Sequence, residues 1–243
     1  MEPVRLPDEA AFRAFQAECE TELGWLSRYN RDGIAVWGQL PPQGDVAVHR
    51  VKGRVNMPDV SAETVFDVLH DTEYRKKWDL NVIETHEIAR LSDNADVGYY
   101  SWKCPKPLKN RDVVTLRSWR VLDKSYVILN FSVKHQKYPP RKDLVRAVSL
   151  LAGYLVQPTG PNSCCLTYLA QVDPKGSLPK WVVNKASQYL APKSPAARST
   201  GDQVLQLLIQ NPPFFLKICK LATFASWRYL LQRPYTEQFL CSA

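Results

Sequence analysis

Two residues of opposite charge, Arg75 and Asp79, stand four positions apart in the segment Tyr74-Arg75-Lys76-Lys77-Trp78-Asp79. The preceding Asp71-Thr72-Glu73 is typical of a helix start, and residues four apart lie on the same face of a helix. The two side chains can therefore form an ion pair. Most pairs of this kind lie on the protein surface and contribute less than about 1 kcal/mol, so the spacing alone predicts charge pairing and nothing more specific.

A second group of candidate residues lies in the aromatic-rich stretch 97–119. Its two ends are rich in aromatic and β-branched residues, and its middle contains two prolines and polar residues, which predicts two strands joined by a connection. Side chains alternate along a strand, so Tyr100 and Trp102 share one face while Ser101 and Lys103 share the other. Because the polar pair is expected in water, Tyr100 and Trp102 are predicted to point inward.

The second strand of this stretch carries an arginine among apolar residues. Val113, Thr115 and Arg117 share one face. If that face points inward, Arg117 needs a partner, because a buried unpaired charge is costly. If the sheet is thin at this point, Arg117 faces solvent. The sequence leaves both interpretations open.

The remaining reactive residue types do not form a catalytic or metal-binding set. The sequence contains no Gly-x-Ser-x-Gly elbow and no phosphate-binding Gly-rich loop, and its six cysteines lack metal-ligand spacing. The four histidines are isolated from one another: His49, His70, His86 and His135. We therefore predict a protein that is not an enzyme and holds no metal or cofactor. The cysteines are expected to be reduced packing residues, as in cytosolic proteins.

Length and charge narrow the class of protein. A chain of 243 residues can form one large domain with a sizeable core. No apolar run opens the sequence, so no signal peptide is expected. The apolar segment 214–225 is interrupted by lysines and falls short of the roughly 20 residues of a membrane-spanning helix. The net charge of +8 predicts an acidic partner, either an anionic membrane surface or nucleic acid.

The sequence supports nucleic acid less well than a membrane surface as the partner. The basic cluster 134–146 is interrupted by Pro139-Pro140 and Asp143, and no recognition module accompanies it. We predict a cytoplasmic protein that contacts membranes peripherally and binds no nucleic acid.

The N-terminal third predicts helices and strands in turn. Asp8 is expected to cap a helix whose buried stripe is Phe12, Phe15, Cys19 and Leu23. A turn that ends at Gly33 leads into a strand at 34–39. A second strand at 46–55 alternates basic residues, among them Lys52, with apolar ones, which predicts one solvated basic face. Ser61 is expected to cap the next helix, and a further helix carries Arg75 and Asp79.

The rest of the chain predicts an antiparallel meander. Strands are expected at 82–91, in the aromatic stretch, and at 126–134, 144–157 and 164–172, each followed by turn residues. A last helix begins near Ser177, with proline in its first turn. The fold class is therefore α+β, with a curved antiparallel sheet around a C-terminal helix.

Three motifs resemble a known family. They are the segments Tyr74–Asp79, Pro105–Asp112 and Asp173–Trp181. Over residues 8–193 the chain is similar to the START (StAR-related lipid transfer) family, in its phosphatidylcholine-transfer-protein branch. The resemblance implies a helix-grip fold that encloses one lipid in a tunnel. It also implies non-enzymatic binding and intermembrane transfer of phosphatidylcholine, phosphatidylethanolamine or both.

The resemblance also implies which residues touch the lipid. The family's buried arginine and its acidic partner match Arg75 and Asp79, and a planar guanidinium suits a phosphate oxygen. The family's choline cage falls on Tyr100, Val113 and about Ala170, so only one aromatic residue remains at these positions, although Trp102 and Tyr168 could supply further ring faces from the same inward faces. This predicts a pocket that accepts phosphatidylethanolamine as well as phosphatidylcholine. The predicted lipid-binding residues are Arg75, Asp79, Tyr100, Trp102, Val113, Arg117, Tyr168 and Ala170.

The resemblance ends after Lys193, where prolines interrupt the family's closing helix. Residues 194–243 form a divergent tail, for which a substitute lid, a membrane-contacting helix and a poorly ordered segment remain open. An alternative function follows from the tail. A chain with a defective lid would sense lipid without transferring it.

Overall fold

The computed structural model describes residues 5–31, 33–39, 50–79, 81–104, 108–173 and 175–176. The predicted C-terminal helix and the tail lie outside these residues. The helices of the described part are α1 (Glu9–Glu20), α2 (Ala62–His70) and α3 (Thr72–Trp78). Its strands are β1 (Leu26–Arg31), β2 (Ile34–Gln39), β3 (Arg50–Met57), β4 (Val82–Ser92), β5 (Ala95–Trp102), β6 (Arg111–Leu122), β7 (Ser125–Ser132), β8 (Val145–Arg146), β9 (Val148–Gly160) and β10 (Ser163–Asp173).

The described strands form one sheet in the order β1-β2-β3-β10-β9-β7-β6-β5-β4. All neighbours in this order are antiparallel, and the run from β4 to β10 is the predicted meander. The two-residue β8 is the exception, because it pairs in parallel with β6. The prediction of a mostly antiparallel α+β fold is confirmed.

Helix α1 packs on the outer face of the sheet. Asp8 accepts a hydrogen bond from the Ala11 N–H at 3.0 Å, as expected of an N-cap, and the predicted stripe residues Phe12, Phe15 and Cys19 are buried. Leu23 was wrongly predicted to continue this stripe. It is 89% exposed because α1 ends at Glu20, before the next turn of the stripe.

The close approach of α1 depends on a glycine in the sheet. Gly153 on β9 lies directly beneath Phe15, and a Cβ atom at Gly153 would lie 2.7 Å from the Phe15 ring and would also collide with the Ile128 carbonyl oxygen. Only a residue without a side chain allows the helix and the neighbouring strand to approach this closely.

The predicted solvated basic face of β3 is wrong at Lys52, which is completely buried. Its ammonium group lies 4.4 Å from the ring centroid of Trp25 and 5.4 Å from that of Trp37. It donates hydrogen bonds to the carbonyl oxygens of Glu18, at 3.1 Å, and Thr21. A cation suits the end of α1, because the last carbonyls of a helix lack partners within the helix. Lys52 therefore fastens α1 to the sheet.

The expectation that Ser101 lies in water is also wrong, because Ser101 is completely buried. The connection from β7 to β9, which we call the strap (residues 133–147), first packs on this outer face of β5 and β6 and then joins β6 through β8. Arg146 in the strap donates two hydrogen bonds of 2.9 Å to the buried Asp112, which also accepts one from the Tyr99 hydroxyl at 3.1 Å. Tyr138 packs on the same cluster.

Helices α2 and α3 pack on the other face of the sheet, which we call the inner face. The Ser61 hydroxyl accepts from the Thr64 N–H at 3.2 Å at the start of α2, as predicted, and the Asp71 carboxylate accepts from the Tyr74 N–H at 2.7 Å at the start of α3. Apolar residues of α2, including Val65, join the large core on the inner face. This packing directs α3 and its arginine toward β5.

Candidate functional site

A cavity of about 180 Å³ lies on the inner face of the sheet, beside α2 and α3. Its wall is mostly apolar and aromatic, with a small number of charged and hydroxyl groups. Six residues predicted from the sequence line it: Arg75, Tyr100, Trp102, Val113, Arg117 and Tyr168. Small-molecule sites in proteins commonly combine an apolar wall with few polar groups.

Tyr100 joins the predicted charged pair. Its hydroxyl donates to the Asp79 carboxylate at 2.7 Å, and the guanidinium carbon of Arg75 lies 5.6 Å from its ring centroid. Asp79 is completely buried at the end of α3, and it also accepts from the Asn81 N–H at 3.1 Å. A buried carboxylate held by neutral donors is stabilised by a cation nearby, and Arg75 is placed to provide that charge.

The phenols around Arg75 stay protonated at neutral pH. Burial raises the pKa of Tyr100 well above its ordinary value, the negative charge of Asp79 raises it further, and Arg75 opposes the rise. Burial likewise raises the pKa of Tyr154, against the opposing effect of Arg75. Protonated phenols keep a hydroxyl proton to donate, so the surroundings of Arg75 hold hydrogen-bond donors rather than extra negative charge.

Two stacked aromatic pairs form much of the cavity wall. Tyr100 and Trp102, two residues apart on β5, have ring centroids 5.5 Å apart, and Tyr154 and Tyr168 have centroids 5.1 Å apart. Tyr154 was missed by sequence reasoning. It lies opposite Tyr168 in the β9–β10 register, and that register cannot be read from either strand alone.

Two predicted residues do not line the cavity. Asp79 lies behind Tyr100 and reaches the site through that residue's hydroxyl. Ala170 is buried in the core of the inner face. Val113 does line the cavity, where it packs against Trp102 and faces Tyr100 across the strand pair.

Arg117 points inward and is paired, which decides between the two interpretations of this residue. Its Nε donates to both carboxylate oxygens of Asp96, at 3.1 and 3.2 Å, and its Nη1 donates to the His70 carbonyl oxygen at 3.4 Å. Asp96 is 1% exposed and stands opposite Arg117 in the β5–β6 register. Asp96 was missed by sequence reasoning, although the hairpin register would have identified it.

The charges of the cavity are therefore matched. Two guanidinium groups line the cavity, those of Arg75 and Arg117, together with two carboxylates, those of Asp96 and Glu87, so the site offers a phosphate or a carboxylate no net positive charge. A ligand without net charge suits such a site better than an anionic one, because an added net charge would have to lose its hydration without a counter-charge. In the described part of the chain, no three histidine, cysteine or acidic side chains are grouped so that they could hold a metal ion.

None of the helices in the described ranges is long and apolar enough to cross a membrane.

Comparison with known sequences gives a match over most of the chain. The START domain family matches residues 8–195. The chain is 66% identical over 193 residues to START domain-containing protein 10 of Homo sapiens. The matched segment covers 79% of this chain and 66% of that protein. It is 28% identical over 176 residues to phosphatidylcholine transfer protein of Mus musculus, which covers 71% of this chain and 80% of that protein. The chain thus spans 66% of the length of its human relative.

Comparison with solved structures agrees with the sequence matches. The crystal structure of human STARD10 matches with a TM-score of 0.71 and 57% identity, over 96% of this chain and 91% of that one. Human StAR-related lipid transfer protein 5 matches with a TM-score of 0.65 at 22% identity, over 75% of this chain and 88% of that one, which shows a shared fold.

Proposed function

The chain belongs to the START domain family, and on this premise we propose that it binds one glycerophospholipid in the cavity and transfers it between membranes without catalysing a reaction. The observation that supports this most directly is the position of Arg75, on an aromatic cavity wall beside the buried Asp79. A guanidinium offers planar paired donors to a phosphate, and its neighbouring carboxylate keeps the empty site neutral.

The matched charges favour a zwitterionic lipid. In phosphatidylcholine and phosphatidylethanolamine the phosphate carries one negative charge and the headgroup nitrogen one positive charge, so the bound lipid adds no net charge to the cavity. Of the positions that match the family's choline cage, only Tyr100 is aromatic, while Val113 and Ala170 are not. Fewer ring faces at these cage positions weaken selection for the three methyl groups of choline. We therefore propose that both lipids are accepted.

The first prediction is a stoichiometric lipid adduct. The purified chain, incubated with vesicles of equal phosphatidylcholine and phosphatidylethanolamine content, should show adducts of both lipids in native mass spectrometry, each with one lipid per chain. A bare chain with no extractable lipid would contradict the proposed function. An adduct with phosphatidylcholine alone would leave binding intact and overturn the relaxed selectivity.

We propose further that residues 8–193 form the lipid-binding domain of a cytoplasmic protein and that residues 194–243 bring it transiently to anionic membranes. The tail contains a basic, apolar segment at 214–232, and each lysine or arginine near an anionic surface contributes about 1 kcal/mol.

The second prediction tests this membrane contact. The full chain should co-sediment with vesicles that contain phosphatidylserine, and a chain that ends at Lys193 should co-sediment less. The difference should shrink at high salt, because salt screens the attraction. Equal sedimentation of the two chains would mean that the tail is not a membrane-contacting element.

A further inference from the structure

Trp102 lies where the polar wall of the cavity gives way to an apolar one. Along the inner face of β5, Asp96 with its partner Arg117 comes first, Tyr100 follows beside Arg75, and Trp102 comes last. Around Trp102 the wall is formed by apolar side chains of other strands and of the strap: Val113, Ala147 and Val172. The indole therefore stacks on Tyr100, at the charged end of the site, and its other neighbours are mainly apolar side chains.

The indole N–H of Trp102 is a buried donor whose only acceptor among the described neighbours is a thiol sulfur, which is a weak one. Trp102 is 9% exposed, and its Nε1 atom is buried without a hydrogen-bond partner in the described residues. The thiol of Cys104 lies nearby on the same face. Burial raises the pKa of this thiol, and Arg111 and the indole of Trp102 oppose the rise. Sulfur is a weak acceptor, so this neighbour leaves the indole N–H without a strong hydrogen bond. Buried donors are rarely left unpaired in folded proteins, and each one requires a specific reason.

We propose that the Trp102 N–H donates a hydrogen bond to an ester carbonyl oxygen of the bound lipid, so that the site prefers ester-linked over ether-linked phospholipids. This inference rests on the proposed function. In a glycerophospholipid the ester groups stand between the phosphate and the hydrocarbon chains. If the phosphate binds Arg75, an ester carbonyl lies on the side of the apolar end of the cavity, where Trp102 is. The lipid then supplies an oxygen acceptor, which is stronger than the thiol that the protein itself offers.

A neutral acceptor suits this position better than the phosphate does. The phosphate is drawn to the guanidinium of Arg75, whereas the indole is an uncharged donor in an apolar wall. A buried donor strongly favours a ligand that supplies an acceptor over an analogue that lacks one, because the analogue leaves the donor unpaired. The N–H of Trp102 therefore discriminates by linkage chemistry and not by headgroup.

The test compares two phosphatidylcholines of equal chain length, one with two ester linkages and one with two ether linkages. The lipids share the phosphate, the choline and the hydrocarbon, and they differ in the two carbonyl groups. Wild-type protein should bind the diester lipid about three- to tenfold more tightly than the diether lipid, as expected for one hydrogen bond. Trp102→Phe, which keeps an aromatic ring and removes the N–H, should bind the two lipids nearly equally. Cys104→Ala should keep the wild-type preference.

A second measurement does not depend on any variant folding. In wild-type protein labelled with nitrogen-15, the proton of the Trp102 indole should shift downfield when the diester lipid binds and remain close to its lipid-free position with the diether lipid. Equal affinity of wild-type protein for the two lipids, an unchanged preference in Trp102→Phe, or equal indole shifts would each overturn the inference and leave the proposed function standing. Failure of wild-type protein to bind either lipid would overturn both.

Discussion

Replacing Arg75 by alanine is expected to reduce phospholipid transfer between vesicles by about ten- to a hundredfold, the effect of losing a hydrogen bond to a charged group. It should also lower the free energy of unfolding by about 3–5 kcal/mol, because the change leaves a buried carboxylate without its neighbouring cation. That carboxylate is Asp79, which is completely buried and held by the neutral Tyr100 hydroxyl and Asn81 N–H. The measurements are a fluorescent-lipid transfer assay and denaturant unfolding.

Two further variants distinguish an effect on lipid binding from an effect on protein stability. Asp79→Asn keeps the guanidinium and a side chain of the same shape, so it should weaken transfer less than Arg75→Ala does. Lys76→Ala is the matched control, because Lys76 lies one residue further along α3 and pairs with Glu73 on the surface, at 2.9 Å. It should transfer lipid like the wild type. Normal transfer by Arg75→Ala would mean that Arg75 and Asp79 have a structural role and do not contact the lipid.

Acidification should destabilise the protein through one histidine. His70 ends α2 with its ring between Phe66 and Trp119, at centroid distances of 4.1 and 4.6 Å. Its Nδ1 lies 2.9 Å from the Phe66 carbonyl oxygen, and its Nε2 is buried without a hydrogen-bond partner in the described chain. Burial, together with the positive charge of Arg117, lowers the pKa of His70 from 6.5 to about 3.

Stability falls on acidification because the folded and unfolded states bind the His70 proton at different pH values. The unfolded chain binds it near pH 6.5, and the folded protein binds it only near pH 3. Between these values the unfolded state holds more protons, so the stability that is complete above pH 6.5 falls as the pH drops toward 3, by about 1.4 kcal/mol for each pH unit. Denaturant unfolding at pH 7.0, 6.0, 5.0 and 4.5 measures this slope.

A glutamine variant tests the assignment to His70. His70→Gln keeps an amide that can donate to the Phe66 carbonyl oxygen and removes the titrating group, so its stability should fall less between pH 7 and 4.5. His135→Gln should keep the wild-type slope, because it retains His70. If His70→Gln and the wild type lose stability in parallel, another group is responsible for the acid sensitivity.

Local patterns in the sequence determined most of the elements and the family. The caps Asp8 and Ser61 lie where they were predicted, because a side-chain acceptor at the start of a helix acts within three residues of itself. The meander also follows from local signals, because strands that follow one another in the sequence tend to pair, whether a short turn or the longer strap joins them. Arg75 lies in the middle of α3 and Asp79 is its C-cap, which follows from the local helix signal because that signal sets the four-residue spacing between them.

The tertiary structure alone decided which faces are covered. Alternation shows that the two faces of a strand differ, but it does not show what lies against each face. Ser101 is buried because the distant strap covers it, and Lys52 is buried because α1 crosses it. In both cases a polar residue that the sequence assigned to water is covered by a segment remote in the chain, which no local pattern reports.

The strand register likewise decided which side chains on neighbouring strands contact each other. Arg117 could have faced either solvent or the core, and the β5–β6 register chose the core by placing Asp96 opposite it. Tyr154 became part of the site because the β9–β10 register stacks it on Tyr168. Shifting either register by one residue would turn each side chain to the other face. The sequence therefore determined the elements and the family, and only the packed sheet determined which side chains meet in the cavity, because that depends on contacts between residues far apart in the chain.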